Sequence, residues 1–242
     1  MKIEGAGTLI TGGSRGLGAA LGRELARRGA RVVLVARGEE EVEAVAAEIR
    51  AAGGVAHALA ADVGDKNAVY AIAGAAAALV GPIDLLVHNA SSLGPTPLRP
   101  LLDTNCEELE SVIAVNLVGP FRLTKAIAGS MALRGAGLVL QVTSDAGVVP
   151  YERWGAYGVS KAALDQLGRI WAEEMRDTGV RFLTIDPGEM DTAMHAAAMP
   201  DADRSTLAQP ADVAERIAGL VASAETIASG SRIEASAWRK AS

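Results

Sequence analysis

Tyr157 and Lys161 are the first residues whose types and spacing suggest chemistry. They lie four apart in the predicted helix Ala156–Asp177, so both side chains project from one helix face. A phenol has a pKa near 10, which is too high for efficient proton exchange at neutral pH. An adjacent ammonium favours the phenolate, and lowering the pKa to near 7 needs roughly 4 kcal/mol of differential stabilisation. Because Tyr-x-x-x-Lys alone is usually an ordinary helix pair, its surroundings must decide its meaning.

A glycine-rich segment, Thr11–Gly18, reads Thr-Gly-Gly-Ser-Arg-Gly-Leu-Gly between an apolar strand and an apolar helix. Glycines permit a tight turn and close backbone approach, and the helix N-terminus presents free N–H groups to a pyrophosphate. The spacing G-x-x-x-G-x-G differs from the commoner G-x-G-x-x-G, and such a turn alone is weak evidence. Its position at the first strand–helix junction of the chain predicts dinucleotide binding.

The elements that must position these groups are short apolar runs alternating with longer alanine-rich runs. The predicted strands are Gly7–Thr11, Arg31–Ala36, Val55–Ala60, Ile83–Asn89, Gly137–Thr143, Val180–Asp186 and Arg232–Ala235. The predicted helices are Gly16–Arg28, Glu39–Ala52, Lys66–Val80, Asn105–Leu133, Ala156–Asp177 and Pro210–Ala224. Several strands are apolar almost throughout, as expected when both sheet faces are covered. The pattern predicts one α/β domain over residues 1–242, with a doubly wound parallel sheet and right-handed crossovers.

Six motifs follow one another along nearly the whole chain. They are Thr11-Gly12-x-x-x-Gly16-x-Gly18, Asp62-Val63, Asn89-Ala90, the set Asn116 and Ser144, Tyr157-x-x-x-Lys161, and Pro187-Gly188-x-x-x-Thr192. In this order and spacing the sequence resembles the short single-domain branch of the short-chain dehydrogenase/reductase family. The resemblance implies a Rossmann-type sheet of about seven strands in the order 3-2-1-4-5-6-7. It also implies direct hydride transfer between a nicotinamide cofactor and a carbonyl or alcohol.

The same resemblance assigns roles to individual residues. Tyr157 would be the general acid and base, and Lys161 would lower its pKa, aided by the positive ring of the oxidised cofactor, and bind the ribose. Ser144 would hold the carbonyl oxygen, and Asn116 would support a water in a proton relay. The predicted cofactor contacts are Gly12, Ser14, Arg15, Gly16, Leu17, Gly18, Arg37, Asp62, Val63, Asn89, Ala90, Tyr157, Lys161, Pro187, Gly188 and Thr192.

The end of the second predicted strand bears on the choice between the two nicotinamide cofactors. An acidic residue there accepts hydrogen bonds from the ribose of NAD and repels the 2′-phosphate of NADP. This chain has Ala36 at that position, followed by Arg37, and Arg15 lies within the glycine-rich turn. Two guanidiniums can flank a phosphate with charge-assisted bonds, so NADP(H) is predicted over NAD(H). The alternative is two ordinary solvated arginines.

Three positions depart from the family pattern. His88 replaces the first Asn of the motif at the end of the fourth strand and is predicted to be packed and hydrogen-bonded. Ser91 replaces a Gly beside the nicotinamide site. The tail, residues 229–236, lacks the usual Asp-Gly-Gly, which in the family often contributes to tetramer packing. A homodimer or homotetramer is nevertheless the predicted assembly.

The predicted substrate is a small carbonyl compound or alcohol of modest size and little charge. Its pocket should be framed by Ser91–Thr96, Ala146–Trp154 and Glu189–Met199, with residues 189–208 as a lid. Glu189, directly after Pro187-Gly188, suggests that anions are excluded. A 3-oxoacyl thioester, a steroid-like ring, a sugar-derived ketone and a xenobiotic carbonyl remain open. The alternative function is an NADP(H)-binding sensor or interaction protein without turnover.

Composition disfavours several other classes. The net charge of −6 and pI near 5.2 argue against nucleic-acid binding. Neither a signal peptide nor a membrane span is predicted, because the longest uncharged stretch, Asn67–Ile83, is mostly Ala and ends at Gly-Pro. The histidines are scattered, so no metal site is expected. A single cysteine, Cys106, expected to be at least partly buried, favours a cytoplasmic location.

Overall fold

Seven parallel strands form one sheet in the order β3-β2-β1-β4-β5-β6-β7, in a computed structural model that describes residues 1–238. The strands are β1 (Gly7–Thr11), β2 (Arg31–Ala36), β3 (Val55–Ala60), β4 (Leu85–His88), β5 (Gly137–Val142), β6 (Val180–Asp186) and β7 (Arg232–Glu234). Every neighbouring pair is parallel. The predicted fold class and strand order are confirmed.

Helices cover both faces of the sheet. They are α1 (Gly16–Arg27), α2 (Glu39–Ala51), α3 (Val69–Val80), α4 (Cys106–Ile113), α5 (Gly119–Arg134), α6 (Gly155–Glu174), α7 (Ala193–Ala198) and α8 (Pro210–Ala222). Along β2, Val32 and Leu34 enter the core with α1, α2 and α8, whereas Val33 and Val35 enter the core with α3, α5 and α6. This alternation follows from the two-residue period of a strand, and it explains why β2 is apolar throughout.

The predicted helix Asn105–Leu133 is interrupted in the structure. A π-helical turn, Ala114–Val118, separates α4 from α5. Pro120 has no N–H group, so it cannot donate to the carbonyl of Asn116, its partner in regular α-helical bonding. The wider turn contains Asn116, a predicted site residue, and π-helical turns are frequently found at functional sites.

Other element boundaries also differ from the prediction. Helix α3 begins at Val69 rather than Lys66, because the Asp65 carboxylate accepts the Asn67 N–H (2.9 Å) in a separate turn. Cys106 was expected to be at least partly buried but is exposed as the first residue of α4. The predicted lid, residues 189–208, for which no helix was predicted, contains α7.

The joined helical span Cys106–Arg134 has the length and hydropathy of a membrane-crossing helix, and 44% of its most apolar window is buried. Leu123, Ile127 and Met131 of this span pack into the core beneath the sheet. A core helix of a globular protein that is buried in this way can have the same length and hydropathy as a membrane-crossing helix.

His88, the last residue of β4, is buried as predicted. Its Nε2 lies 2.8 Å from Thr124 Oγ1 on α5, and only 3% of the residue is exposed. Burial lowers the pKa of His88 to about 3, because the imidazolium would lose its hydration. The folded protein therefore holds the neutral ring at physiological pH.

His88 should make the protein sensitive to acid. The unfolded chain takes up a proton near pH 6.5 and the folded chain does not, so stability is full above that pH and falls below it. Between pH 6.5 and 5 we expect a loss of about 2 kcal/mol in the free energy of unfolding. Urea unfolding at both pH values should show this loss in the wild type and in the control His57→Asn, but not in His88→Asn. An equal acid loss in His88→Asn would contradict the assignment.

Candidate active site

The glycine-rich turn between β1 and α1 is clamped to the end of β4. The Asn89 amide donates to the carbonyl oxygens of Thr11 and Gly12, at 3.0 Å each. The Thr11 hydroxyl accepts the N–H groups of Asn89 and Ala90 and donates to Val87. The predicted cofactor residue Asn89 thus shapes the turn with its side chain.

Two glycines of the turn are required by close approach. A Cβ on Gly18 would lie 2.1 Å from the Gly12 oxygen and 2.4 Å from the Asn89 amide nitrogen. Gly12 has φ +70°, and a Cβ there would lie 2.8 Å from Ala90. No larger residue fits at these positions, as expected where a chain folds back on a helix N-terminus.

Open space lies on the other side of the same turn. A Cβ on Gly16 (φ +54°) would approach only Thr192, at 3.5 Å, and a Cβ on Gly188 would meet nothing within 4 Å. Arg15 is the residue before α1, and its side chain does not cap the helix, so it leaves the first N–H groups of α1 without an acceptor at this position. This cradle, lined by Ser14–Leu17 and faced by Thr192, fits a pyrophosphate at a helix N-terminus.

Other predicted cofactor residues lie at the same edge of the sheet. Asp62 and Val63 follow β3, where the Asp62 carboxylate accepts the Gly64 N–H (2.8 Å) and Val63 is buried. Pro187 and Gly188 follow β6, and the Gly188 N–H donates to Asp186 (3.0 Å). Parallel strands bring these carboxyl ends together, which is where ligands bind in open α/β sheets.

Tyr157 and Lys161 meet on α6 as their spacing predicts. The Lys161 ammonium lies 5.4 Å from the centre of the Tyr157 ring, and both residues are buried. The expected lowering of the Tyr157 pKa is wrong for the protein alone. The pKa of Tyr157 is raised to about 12, first by burial and then by the charges of Asp186 and Asp145, while hydrogen bonding with Ser144 and Ser91 acts in the lowering direction. The reason is that loss of hydration on burial penalises the charged phenolate.

The Lys161 ammonium is held by a backbone carbonyl of the sheet. It donates to the Val142 carbonyl at the end of β5 (2.8 Å). Burial lowers the pKa of Lys161 to about 8, while the charges of Asp165 and Asp186 raise it. Lys161 can therefore change protonation close to neutral pH, as a group that passes protons must.

Ser144 lies beside Tyr157, but its hydroxyl already has a partner. It follows β5 with extended backbone and donates to Asp145 Oδ1 (2.9 Å). The other Asp145 oxygen accepts the Tyr151 hydroxyl (2.7 Å). Because a hydroxyl has one proton, Ser144 must leave Asp145 to donate to a substrate oxygen.

Asn116 is fully buried in the π-helical turn. Its oxygen accepts the Ser92 N–H (2.7 Å), and its amide donates to the Ser92 carbonyl and to the Ser160 hydroxyl, at 2.9 Å each. The side chain thus ties the loop after β4 to helix α6. Its predicted role as support for a relay water stays a prediction.

Sequence analysis missed Asp145 and did not give two other side chains a role beside Tyr157. Ser91 lies against the Tyr157 hydroxyl and contacts Asn116 (3.3 Å), and Asp145 accepts hydrogen bonds from both Ser144 and Tyr151. Ser91 and Tyr151 were assigned only to the pocket frame. The signal available was the substitution of Ser for Gly at position 91, together with an acidic residue directly after Ser144.

A shallow cleft, partly open to solvent, lies next to Tyr157. Leu93–Pro95 and Trp154 line it, as does an Arg99–Glu108 ion pair. None of its described lining residues belongs to the third predicted pocket segment, Glu189–Met199, or to the rest of the predicted lid, residues 189–208. The lid segment instead closes on itself through the Asp191–Arg204 ion pair (2.7 Å). Two of the three predicted pocket segments therefore line this cleft.

Comparisons with known proteins agree with this geometry. The family model described as short chain dehydrogenase matches residues 7–203. The chain is 31% identical over 237 residues to 2,3-dihydro-2,3-dihydroxybenzoate dehydrogenase from Bacillus subtilis, covering 90% of each chain. It is 34% identical to cis-4-hydroxycyclohexanecarboxylate dehydrogenase from Sinomonas cyclohexanicum, covering 92% of this chain and 91% of that protein. A metagenomic short-chain oxidoreductase solved in complex with NADP has a TM-score of 0.82 and 34% identity, with 97% of both chains covered.

The turn geometry predicts unequal effects of two glycine substitutions. Gly18→Ala forces a Cβ into the Gly12 carbonyl and should lower stability by about 1–3 kcal/mol. The matched control Gly129→Ala lies in α5, where a Cβ would meet nothing within 4 Å, and should gain up to about 1 kcal/mol in helix propensity. Thermal unfolding of both variants measures the difference, and equal Tm values would contradict the close approach.

Proposed function

The chain belongs to the short-chain dehydrogenase/reductase family, and from that premise we propose that it reduces a ketone to a secondary alcohol, or the reverse, with NADP(H). The observation that carries the proposal is the buried phenol of Tyr157, which has Lys161 and Ser144 beside it. Asn116 is connected to the same phenol through Ser91. Each of these side chains is held by a specific contact, and a protein that only senses a dinucleotide has no need for a matched proton donor and activator.

The chain's own groups account for the proton chemistry. The bound nicotinamide would supply or accept the hydride. Tyr157 is a protonated phenol at neutral pH in the protein alone, so it carries the proton that the oxygen of a ketone would take up. Positive charge beside the ring would favour release of that proton. Ser144 turns from Asp145 to donate to the same oxygen. Lys161, with a pKa near 8, restores the proton of Tyr157 through the polar groups beside it.

We propose an uncharged cyclic ketone or alcohol as substrate. The two relatives named above act, by their names, on hydroxyl groups of six-membered rings that also carry a carboxylate. In this chain Asp145, Asp186 and Glu189 all raise the pKa of Tyr151 at the mouth of the site. The two arginines of the adjacent cleft, Arg99 and Arg153, pair with Glu108 and Glu152. A substrate carboxylate would meet repulsion there, whereas a neutral ring would not.

The proposed preference for NADP(H) is supported by two guanidiniums. Ala36 ends β2 with no acidic group to repel a 2′-phosphate, and Arg37 follows it. Arg15 and Arg37 are exposed, and neither has a hydrogen-bond or ion-pair partner within residues 1–238. They are free to bind a phosphate with charge-assisted bonds. The NADP-bound neighbour described above adds to this support.

A homo-oligomer is part of the proposal. Phe121 on α5 and Ile170 on α6 are 41% and 45% exposed, and the Phe121 ring lies 6.0 Å from Trp171. Adjacent apolar side chains on two outer helices favour contact with a second copy. A cytoplasmic location stays a prediction from cysteine content.

The reaction is tested by following NADPH absorbance with cyclohexanone and with 4-oxocyclohexanecarboxylate. We expect the neutral ketone to have the higher kcat/KM, by about tenfold or more, because of the surrounding carboxylates. Tyr157→Phe should lower kcat by about 10²–10⁴-fold while NADPH still binds. Tight NADPH binding without turnover of any carbonyl compound would instead support the binding-protein alternative.

Cofactor choice is tested by kcat/KM for NADPH and NADH. Arg37→Ala should weaken NADP binding about ten- to a hundredfold, because a bond to a charged group contributes roughly 1.5–3 kcal/mol. NAD, which lacks the phosphate, should hardly change, and Ala36→Asp/Arg37→Ala should reverse the preference. Arg216→Ala on α8 removes another exposed, unpaired guanidinium and serves as the control for net charge. A wild type that prefers NADH, or equal losses for both cofactors in Arg37→Ala, would overturn the assignment.

A further inference from the structure

Arg232 is a charged residue of β7 whose side chain is only 15% exposed. Its Nε lies 3.2 Å from Asp165 Oδ2, and its Nη2 lies 2.7 Å from Asp186 Oδ2. The same Nη2 donates to the backbone carbonyl of Ser144 (3.2 Å). The two carboxylates are 4% and 8% exposed, so this guanidinium is enclosed by its partners. Arg232 lies in the tail segment that departs from the family's Asp-Gly-Gly pattern.

Each partner of Arg232 belongs to an element that carries the site. Asp165 lies one helical turn after Lys161 on α6. Asp186 directly precedes Pro187-Gly188, and its second oxygen accepts the Gly188 N–H (3.0 Å). Ser144 is itself a residue of the site. One planar fork thus joins the ends of β5 and β6 to α6, which a point charge such as Lys could not do with the same geometry.

The charges around this cluster form a balanced set. Lys161 and Arg232 are the cations, and Asp165 and Asp186 are the buried anions between them. Asp145 faces Tyr157 from the turn after β5, Glu234 lies 3.9 Å from Arg232 but is 62% exposed, and Arg169 acts on Asp165 from α6. Without Arg232, the negative charges of Asp165 and Asp186 near Tyr157 and Lys161 would lose one of the two cations that balance them. Breaking a buried ion pair in this way leaves uncompensated charge.

We propose that Arg232 is a positioning residue of the active site, which holds the Ser144 carbonyl, Asp165 and Asp186 with one guanidinium. It offsets the charges of Asp186 beside Tyr157 and of Asp165 beside Lys161. The inference rests on the proposed function for its kinetic consequences, but not for its structural ones. It predicts that loss of the guanidinium charge favours the phenol over the phenolate. It also predicts that the loops after β5 and β6 loosen together.

The kinetic test is the pH dependence of kcat for alcohol oxidation with NADP⁺, a direction that needs the phenolate. Arg232→Met should move the half-maximal pH upward by about one unit and lower kcat at pH 7 by roughly tenfold, since one unit of pKa is a tenfold change in phenolate. Arg232→Lys keeps the charge, so its pH midpoint should match the wild type while kcat falls several-fold. Arg181→Met on β6 is the matched structural control, because within residues 1–238 the Arg181 side chain bonds only to the backbone carbonyls of Ala224 and Ile227.

A second readout is independent of activity. Hydrogen–deuterium exchange should quicken at residues 144–148 and 186–192 in Arg232→Met, and only near residues 224–230 in Arg181→Met. If the wild type turns over and Arg232→Met loses activity equally at all pH values, the inference is overturned. If the wild type shows no turnover, the proposed function fails, and the exchange pattern still decides the inference: joint loosening of both loops supports it, and unchanged exchange overturns it. Should Arg232→Met fail to fold, a shifted pH midpoint in Arg232→Lys would overturn the charge assignment.

Discussion

Burial of the Tyr157 phenol beside the Lys161 ammonium is the constraint on which the rest of the site depends. Desolvation favours the neutral form of both groups, so it raises the pKa of Tyr157 and lowers that of Lys161. A phenol that is hard to ionise is a weak proton donor at neutral pH, because a catalytic acid or base works best with a pKa near the working pH. Nearby positive charge favours the phenolate and so brings the pKa of the phenol closer to that range. Hydrogen bonding with Ser144 and Ser91 partly offsets the cost of burial for the phenolate of Tyr157. The hydrogen bond to the Val142 carbonyl does the same for the ammonium of Lys161.

The fold serves this pair by bringing strand ends to one edge. The Thr11 and Asn89 bonds fix the glycine-rich turn on the end of β4, and the Asn116 amide fixes the next loop on α6. Parallel strands make such convergence possible because every carboxyl end lies on the same side. The site is therefore built from loops, each secured by a buried side chain to a neighbouring element.

Much of this could be predicted from the sequence, for reasons visible in particular residues. Apolar runs such as Arg31–Ala36 have the strand period, and glycines at 12 and 18 have spacing that only a tight turn explains. The interruption of the helix at Asn116 was not predicted. The apolar pattern continues through it, and the only local signal is Pro120, which lacks the N–H that would bond to the carbonyl four residues earlier. The partner of Ser144 and the ion pairs of Arg232 depend on side chains brought together across the fold, at sequence separations that no local pattern encodes. For the protein alone, the direction of the Tyr157 pKa was wrong because spacing placed Lys161 on the same face but burial outweighs it. The lowering expected with the oxidised cofactor bound stays a prediction.

The most direct test of this account is the titration of Tyr157 itself. The chain has three tyrosines, so carbon-13 labelling at the phenol carbon gives three signals that single Tyr→Phe variants assign. The account predicts that the Tyr157 signal of the protein alone stays at the phenol position up to about pH 10.5, beyond the ordinary tyrosine pKa near 10. Added NADP⁺ should bring its midpoint below 10. Ionisation at or below pH 10 in the protein alone, or a midpoint that NADP⁺ leaves unmoved, would contradict the claim that burial holds the proton until positive charge arrives.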